Sequence, residues 1–225
     1  MPTTPCHALA AIAWVVCCLP ASAAVGQQPG KGADPPAVTE EYTLEIDGKS
    51  VDVRAGEAAT VEVAGKKVRA KITAKPDKLF RAGSVSFRVP KEYSLETEAE
   101  PDGTTMWTLD GDNGVLILVR FGAAQDPKEG VETMVDYLKG QYGEANVKTS
   151  PVSLKLGDRV QQGMRVSATV AGQRLVQDLF AWKSGGATYL LTVQETPQDD
   201  GSSVAELRRV RQLLADTFRS DASAK

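Results

Sequence analysis

One apolar run organises the second half of the chain. It covers Gly114 to Phe121, is rich in β-branched residues and leucine, and follows the turn formers Asp110-Gly111-Asp112-Asn113. A run this short with this composition is typical of a strand that is buried on both faces, and not of a helix. We therefore predict a sheet with this strand near its middle and with other elements packed on each side.

Two amphipathic helices are predicted around a second group of strands. Asp126 and Pro127 form a helix start signal, apolar residues follow at helical spacing, and Gly143 is a suitable end. The second helix is predicted to begin at a capping box opened by Ser203. Between the helices, apolar alternation over residues 152–193 predicts four strands joined by short glycine turns, which favours antiparallel pairing.

The part of the chain before residue 80 alternates with a period of two. Residues 41–79 predict a small β-meander with one wet face, and residues 80–220 predict the main domain. The order of elements is β-meander, strands, helix, four strands, helix. That order predicts an α+β fold in which an antiparallel β-sheet is flanked by two helices, an α/β/α sandwich, preceded by the small β-meander.

The strand Val85-Ser86-Phe87-Arg88-Val89-Pro90 opens the predicted main domain. With this strand and the order of elements that follows it, the chain from about residue 80 to 219 resembles the PsbP and DcrB-like group of α/β/α sandwich proteins. The resemblance implies a non-catalytic, exported or organelle-lumenal protein that binds or stabilises a larger assembly. It transfers no functional residue to this chain.

Residues 1–24 have the pattern of a secretory signal peptide. An apolar segment from Ala8 to Leu19 is broken by Pro20 and followed by the small residues Ala21-Ser22-Ala23-Ala24. The segment is well short of the ~20 residues that span a bilayer, so we expect an exported protein, periplasmic or extracellular, with no stable transmembrane segment in its mature chain. Residues 25–40 predict a flexible linker and residues 221–225 a tail.

Cleavage of that leader would remove two residue types from the chain. The three cysteines are Cys6, Cys17 and Cys18, and the one histidine is His7. A mature chain without thiol or imidazole excludes a Ser-His-Asp triad, a Cys-His pair and the usual zinc or haem ligands. We therefore predict no catalytic residue, no metal site and no cofactor.

The segment Asp110-Gly111-Asp112-Asn113-Gly114 has the acidic spacing of a candidate calcium loop. Glycine holds its fifth position and Phe121 its twelfth, where an EF-hand requires oxygen ligands. A tight turn between two strands is the better interpretation.

The charge pattern limits the class of partner. A net charge of −3 argues against nucleic acid, which requires a strongly basic face. A basic stretch that contains Lys66, Lys67, Arg69 and Lys71 predicts a binding surface for an anionic partner such as a wall polymer or a lipid head group. The solvated face of a strand explains the same stretch more simply.

These patterns favour an exported, non-enzymatic cell-envelope protein in a binding or assembly-support role, with an envelope protein or an anionic surface as its partner. Two alternatives stay open. A carboxylate-based hydrolase of wall glycans would need a cleft with two acids about 5 to 9 Å apart. A carrier of a small hydrophobic ligand would need a sizeable apolar pocket that reaches the surface.

Overall fold

A computed structural model describes residues 37–46, 48–54, 70–123, 125–170 and 172–220. The predicted signal peptide (1–24), residues 25–36 of the predicted linker and the predicted tail (221–225) lie outside the described residues. Residues 55–69 of the predicted β-meander also lie outside them. These predictions therefore stay predictions.

The described residues form strands for most of their length. In chain order the strands are β1 (Ala37–Thr39), β2 (Glu41–Ile46), β3 (Lys49–Arg54), β4 (Ala70–Ala74), β5 (Asp77–Ala82), β6 (Val85–Pro90), β7 (Ser94–Ala99), β8 (Thr105–Asp110), β9 (Gly114–Arg120), β10 (Val147–Leu156), β11 (Arg159–Val170), β12 (Gln173–Ser184), β13 (Ala187–Glu195) and β14 (Arg219–Ser220). They pair in three sheets, with the orders β10-β11-β12-β13-β9-β8-β7, β1-β5-β6-β14 and β3-β2-β4. Every pairing is antiparallel.

The described residues also form two α-helices, α1 (Pro127–Tyr142) and α2 (Ala205–Thr217). The start and end predicted for α1 are confirmed. The Asp126 carboxylate accepts a hydrogen bond from the Lys128 N–H at 2.9 Å, and Gly143 ends the helix with φ at 83°. Both signals are local, because a cap depends on residues a few positions apart.

The strand β9 is buried on both faces, as its composition predicts. Leu116 and Leu118 point into one core cluster, whereas Val115, Ile117 and Val119 point into another. Helix α1 covers the second face and packs Val135 and Leu138 against the sheet. Because successive residues of a strand point to opposite faces, one apolar run supplies both cores.

The other face of the seven-stranded sheet is covered by a sheet and a helix together. The four-stranded sheet places Phe80 and Phe87 in this core, and α2 adds Leu207, Val210 and Leu214. The two phenylalanine rings lie 4.9 Å apart between centroids. An edge-to-face contact of 6.3 Å joins Phe80 to Trp107 of the main sheet.

This arrangement corrects the predicted fold class. The prediction of one antiparallel sheet flanked by two helices, an α/β/α sandwich, is wrong, because the described chain is mostly strand and forms three sheets with only two α-helices. The error has a physical origin at residues 77–90. The alternation at Val85–Pro90 correctly predicts a strand, but the hairpin β5–β6 packs on the main sheet as a separate layer.

A buried carboxylate joins the small sheets. Glu41 begins β2 and is buried, and its side chain makes ion pairs with Arg54 at 3.4 Å and Lys75 at 3.8 Å. It also pairs with Arg88 on β6 of the four-stranded sheet. The predicted boundary between residues 79 and 80 falls within β5, whose pairing with β6 starts at Asp77.

Candidate functional site

A polar groove lies on the face of the main sheet that carries α2. Its volume is about 700 Å³, and it is lined by Asn146, Lys148, Thr149, Ser150, Arg165, Ser167, Ala168, Thr169 and Arg174. We call these nine residues the polar groove. Most of them belong to β10, β11 and the start of β12, three strands long enough to extend past the helix-covered core.

The lining combines cations with hydroxyl groups, and none of its described residues carries a carboxylate. Lys148 and Arg174 are exposed, and their side chains make no hydrogen bond or ion pair with the described residues. Ser150, Ser167 and Thr169 add hydroxyl donors. Cations with free donors beside hydroxyl groups are suited to bind an anion.

The third cation of the groove, Arg165, is already paired. Asp178 on the neighbouring strand β12 accepts from its Nε at 2.6 Å and from its Nη2 at 2.8 Å. This two-pronged hydrogen bonding raises the pKa of the Arg165 guanidinium and keeps the group charged. Asp178 is 1% exposed, so hydrogen bonds to protein groups replace those that water would make to it.

A second arginine extends the network to α2. Arg211 donates to Asp178 at 2.9 Å and to Glu195 at 3.3 Å. Glu195 in turn accepts from the Ser203 hydroxyl at 2.6 Å and from the Val204 N–H at 3.1 Å. The network therefore links the wall of the polar groove to the first turn of the helix.

The network also corrects the predicted capping box. Helix α2 has Val204 at its N-cap, and its own cap side chain makes no hydrogen bond. The Ser203 hydroxyl donates to Glu195, which is at the end of β13. Glu195 also accepts a hydrogen bond from the Val204 N–H at the helix start. A long-range carboxylate thus replaces the local cap that the sequence pattern predicted.

Of the four residues named in the predicted basic stretch, the structure describes only the backbone of Lys71. Lys66, Lys67 and Arg69 lie outside the described residues, so their role as a binding surface stays a prediction. Lys71 is in β4, where it pairs in register with Glu45 of β2. The polar groove belongs to the seven-stranded sheet, whereas β4 belongs to the three-stranded sheet.

The groove residues were missed because their pattern changes along one strand face. In β10 the apolar positions Val152, Leu154 and Leu156 continue as Ser150 and Lys148 on the same face. Where one face of a strand changes from apolar to polar residues, the pattern predicts that the layer packed on that face ends at the change. That switch is the signal by which the groove could have been found.

Acidic groups meet in a second pocket at the hairpin between β8 and β9. This acidic pocket has a volume of about 350 Å³ and is lined by Pro90, Glu92, Tyr93, Asp112, Ala205, Glu206 and Arg209. The Tyr93 hydroxyl is buried near Glu206 without hydrogen-bonding geometry, and burial together with that carboxylate raises the pKa of Tyr93. Glu206 itself accepts hydrogen bonds from the backbone N–H and the side-chain amide of Asn113, at 2.9 and 3.1 Å.

Among the described residues, no group of three or more His, Cys, Asp or Glu side chains is placed to hold a metal ion.

Asp110, beside this pocket, is expected to make stability depend on pH. Burial first, and then the carboxylates of Glu96, Glu206 and Asp112, raise the pKa of Asp110 above its usual range. A raised native pKa means that the ionised group is unfavourable in the folded protein at neutral pH, and that this cost disappears as the pH falls below the ordinary Asp value of about 3.9. Asp110→Asn should therefore raise the free energy of unfolding at pH 7 by about 0.5 kcal/mol or less, because Asp110 is still largely exposed, and the urea midpoint should rise accordingly.

The same variant at low pH is the control for this prediction. Near pH 3 the wild type and Asp110→Asn should unfold at the same urea concentration. High salt at pH 7 should reduce the difference, because part of it is repulsion between carboxylates. A variant that is less stable than the wild type at pH 7 would contradict the unfavourable role of the charge.

Comparisons with known proteins place no family name on the chain. No protein-family profile matches it, and no curated protein sequence matches it. The crystal structure of LpqN, involved in cell envelope biogenesis of Mycobacterium tuberculosis, is similar with a TM-score of 0.39 and 16% identity, over 61% of this chain and 83% of LpqN. A TM-score this low does not establish a shared fold, so the likeness assigns neither fold nor function here. The resemblance to the PsbP and DcrB-like group stays a prediction.

Within the described ranges, no helix is both long enough and apolar enough to cross a bilayer.

Proposed function

We propose that the chain is an exported, non-enzymatic binding protein of the cell envelope, and that its polar groove contacts an anionic envelope component. The observation that carries this proposal is the pair of cations Lys148 and Arg174, whose side chains bind nothing among the described residues and line a groove without carboxylates. The leader pattern of residues 1–24 supports export.

The lining of the groove favours binding over hydrolysis. A carboxylate-based glycan hydrolase needs a general acid and a second carboxylate in one cleft, and the polar groove has neither. Carboxylates do meet in the acidic pocket. There Glu206 is engaged with Asn113 across the β8–β9 turn, which is a structural role.

The carrier alternative also fits the groove poorly. A site for a small hydrophobic ligand is lined mainly by apolar and aromatic side chains. The polar groove presents cations, hydroxyl groups and an amide, and its residues are on parts of the strands that extend beyond the apolar core. An anionic partner satisfies these groups, whereas an apolar ligand would leave them without partners.

The test is co-sedimentation of the full 225-residue chain, carrying a C-terminal tag, with the envelope fraction of the native organism. Replacing both Lys148 and Arg174 by alanine should weaken the association by roughly tenfold or more, because each hydrogen bond to a charged group contributes ~1.5–3 kcal/mol. The wild-type association should also weaken as salt is added.

A charge-matched variant separates the groove from general electrostatics. Lys155→Ala with Arg81→Ala removes the same number of positive charges from exposed positions outside the groove. We expect this variant to bind like the wild type. Equal loss in both double variants would mean that net charge, and not the groove, drives association, and it would refute the proposal.

A further inference from the structure

We propose that the anionic group held in the polar groove is a phosphate, present in the ligand as a phosphomonoester or a phosphodiester, with Lys148 and Arg174 on opposite sides of it. This inference rests on the proposed function, because it names the ligand chemistry of the same groove. It adds a selectivity, phosphate over carboxylate, that the proposed function does not require.

Strand register places the four relevant side chains together. Lys148 of β10 is opposite Ser167 of β11, and Arg174 of β12 is opposite Thr169 of β11. Ser167 and Thr169 are two positions apart on one strand and therefore share a face, about 6.6 Å apart. Directly paired residues lie about 5 Å apart between Cβ atoms. The two hydroxyl groups thus form a central row with a cation on each flank.

The number and the kind of donors favour a phosphate. A carboxylate has two oxygen atoms, whereas a phosphate presents several in a tetrahedral arrangement that can be reached from more than one side. Arg174 offers a planar fork that matches two of those oxygens, and Lys148 offers a point charge. The hydroxyls of Ser167 and Thr169 can donate to the oxygens that face the sheet. A volume of about 700 Å³ also leaves room for a glycerol or sugar substituent.

Arg165 has a different part in this site. Its guanidinium is held in the groove wall by Asp178 through two hydrogen bonds, so its donors on that side are already used. Arg165 is therefore a positioning residue that fixes the strand beside Ser167. The excess positive charge of the groove comes from Lys148 and Arg174.

Isothermal titration of the full-length chain at low salt tests the selectivity. The probes are inorganic phosphate, glycerol 3-phosphate and acetate. We expect the two phosphates to bind and acetate to bind at least tenfold more weakly. Lys148→Ala and Arg174→Ala should each weaken glycerol 3-phosphate binding roughly tenfold, and Thr169→Val should weaken it a few-fold. The double control Lys155→Ala with Arg81→Ala should leave it unchanged.

A vesicle arm distinguishes the source of the phosphate. Vesicles of phosphatidylglycerol carry an anionic phosphodiester, and vesicles of phosphatidylcholine carry a zwitterionic one. Groove-dependent binding to phosphatidylglycerol would assign the ligand to a lipid head group. Groove-dependent binding to glycerol 3-phosphate alone would assign it to a soluble or polymeric phosphate. Both results support the inference.

The inference and the proposed function fail in different ways. Acetate binding as tight as phosphate binding, or phosphate binding that survives loss of both Lys148 and Arg174, would overturn the phosphate assignment. The proposed function would still stand if association with the envelope required the groove. Conversely, phosphate binding in the groove together with envelope association that ignores the groove would refute the proposed function.

Discussion

Replacing Phe87 with alanine is expected to lower the free energy of unfolding by about 4 kcal/mol, in the middle of the range for buried phenylalanine. Phe87 is 0% exposed and belongs to the sheet that covers the main sheet. Its ring stacks on Phe218 at 6.2 Å and tilts against Phe80 at 4.9 Å. Removing the ring leaves a cavity between the two sheets. The sheets cannot move together to fill it, because each is held in place by the hydrogen bonds between its own strands.

Urea unfolding followed by tryptophan fluorescence measures this effect, because Trp107 and Trp182 lie in the same core. Phe87→Leu should cost less than alanine, because it refills part of the volume. Val160→Ala is the surface control, since Val160 is 63% exposed, and it should change stability by about 0.5 kcal/mol or less. A loss below about 2 kcal/mol for Phe87→Ala would mean that the second sheet contributes little to the core.

Local patterns predict the elements of this fold well. The strand at Gly114 and the start and end of α1 follow from residues that are neighbours in the chain, and the structure confirms them. A strand with two buried faces needs only a run of apolar residues, and a helix end needs only its cap. These features depend on short distances along the chain, which a sequence contains directly.

Layer assignment is different, because it depends on pairing between distant strands. Val85, Phe87 and Val89 alternate with polar residues in the way that any half-buried strand does, whether it joins the main sheet or a second one. No local sequence feature distinguishes a strand of the main sheet from a strand of a second sheet, so the prediction of an α/β/α sandwich was wrong at these strands. The predicted capping box of α2 was wrong for a related reason. The local signal at Ser203 was real, but Glu195 from a neighbouring strand binds the helix start.

The groove shows the same limit at the level of a site. Lys148, Ser167 and Arg174 are on three strands and meet only through the register of β10, β11 and β12. Each is an ordinary polar residue in its own strand. The predicted basic stretch at Lys66 drew attention because its charges are contiguous in sequence. Contiguity is easy to see, but cross-strand neighbours form the surface that a ligand meets.

Replacing Asp178 with alanine is the second large effect we expect, a loss of about 3 kcal/mol in the free energy of unfolding. Asp178 is the acceptor shared by Arg165 and Arg211, and its side chain is 2% exposed. Without it, two guanidinium groups stay next to each other with their common partner gone. Their side chains are 37% and 23% exposed, so water can reach them in part, which places the estimate at the low end for a broken buried pair.

An exposed ion pair provides the matched control. Asp136 on α1 pairs with Lys139 at 3.5 Å, and its side chain is 76% exposed. Asp136→Ala should cost about 0.5 kcal/mol or less, as exposed pairs usually do. A double variant, Asp178→Ala with Arg211→Ala, should lose less than the sum of the two single losses, because each single variant already breaks their shared hydrogen bond.

The comparison of Asp178 and Asp136 separates burial from pairing. If the carboxylate matters because it is desolvated and shared, Asp178→Asn should also be costly, since an amide keeps the shape but loses the charge that both arginines need. A loss at Asp178 no greater than that at Asp136 would show that the network does not stabilise the fold.

In that case Arg165 would not be fixed by Asp178, and it could turn to the ligand as a third cation. Phosphate affinity would then be unchanged or higher in the Asp178 variants, whereas a fixed Arg165 predicts that loosening the wall weakens it.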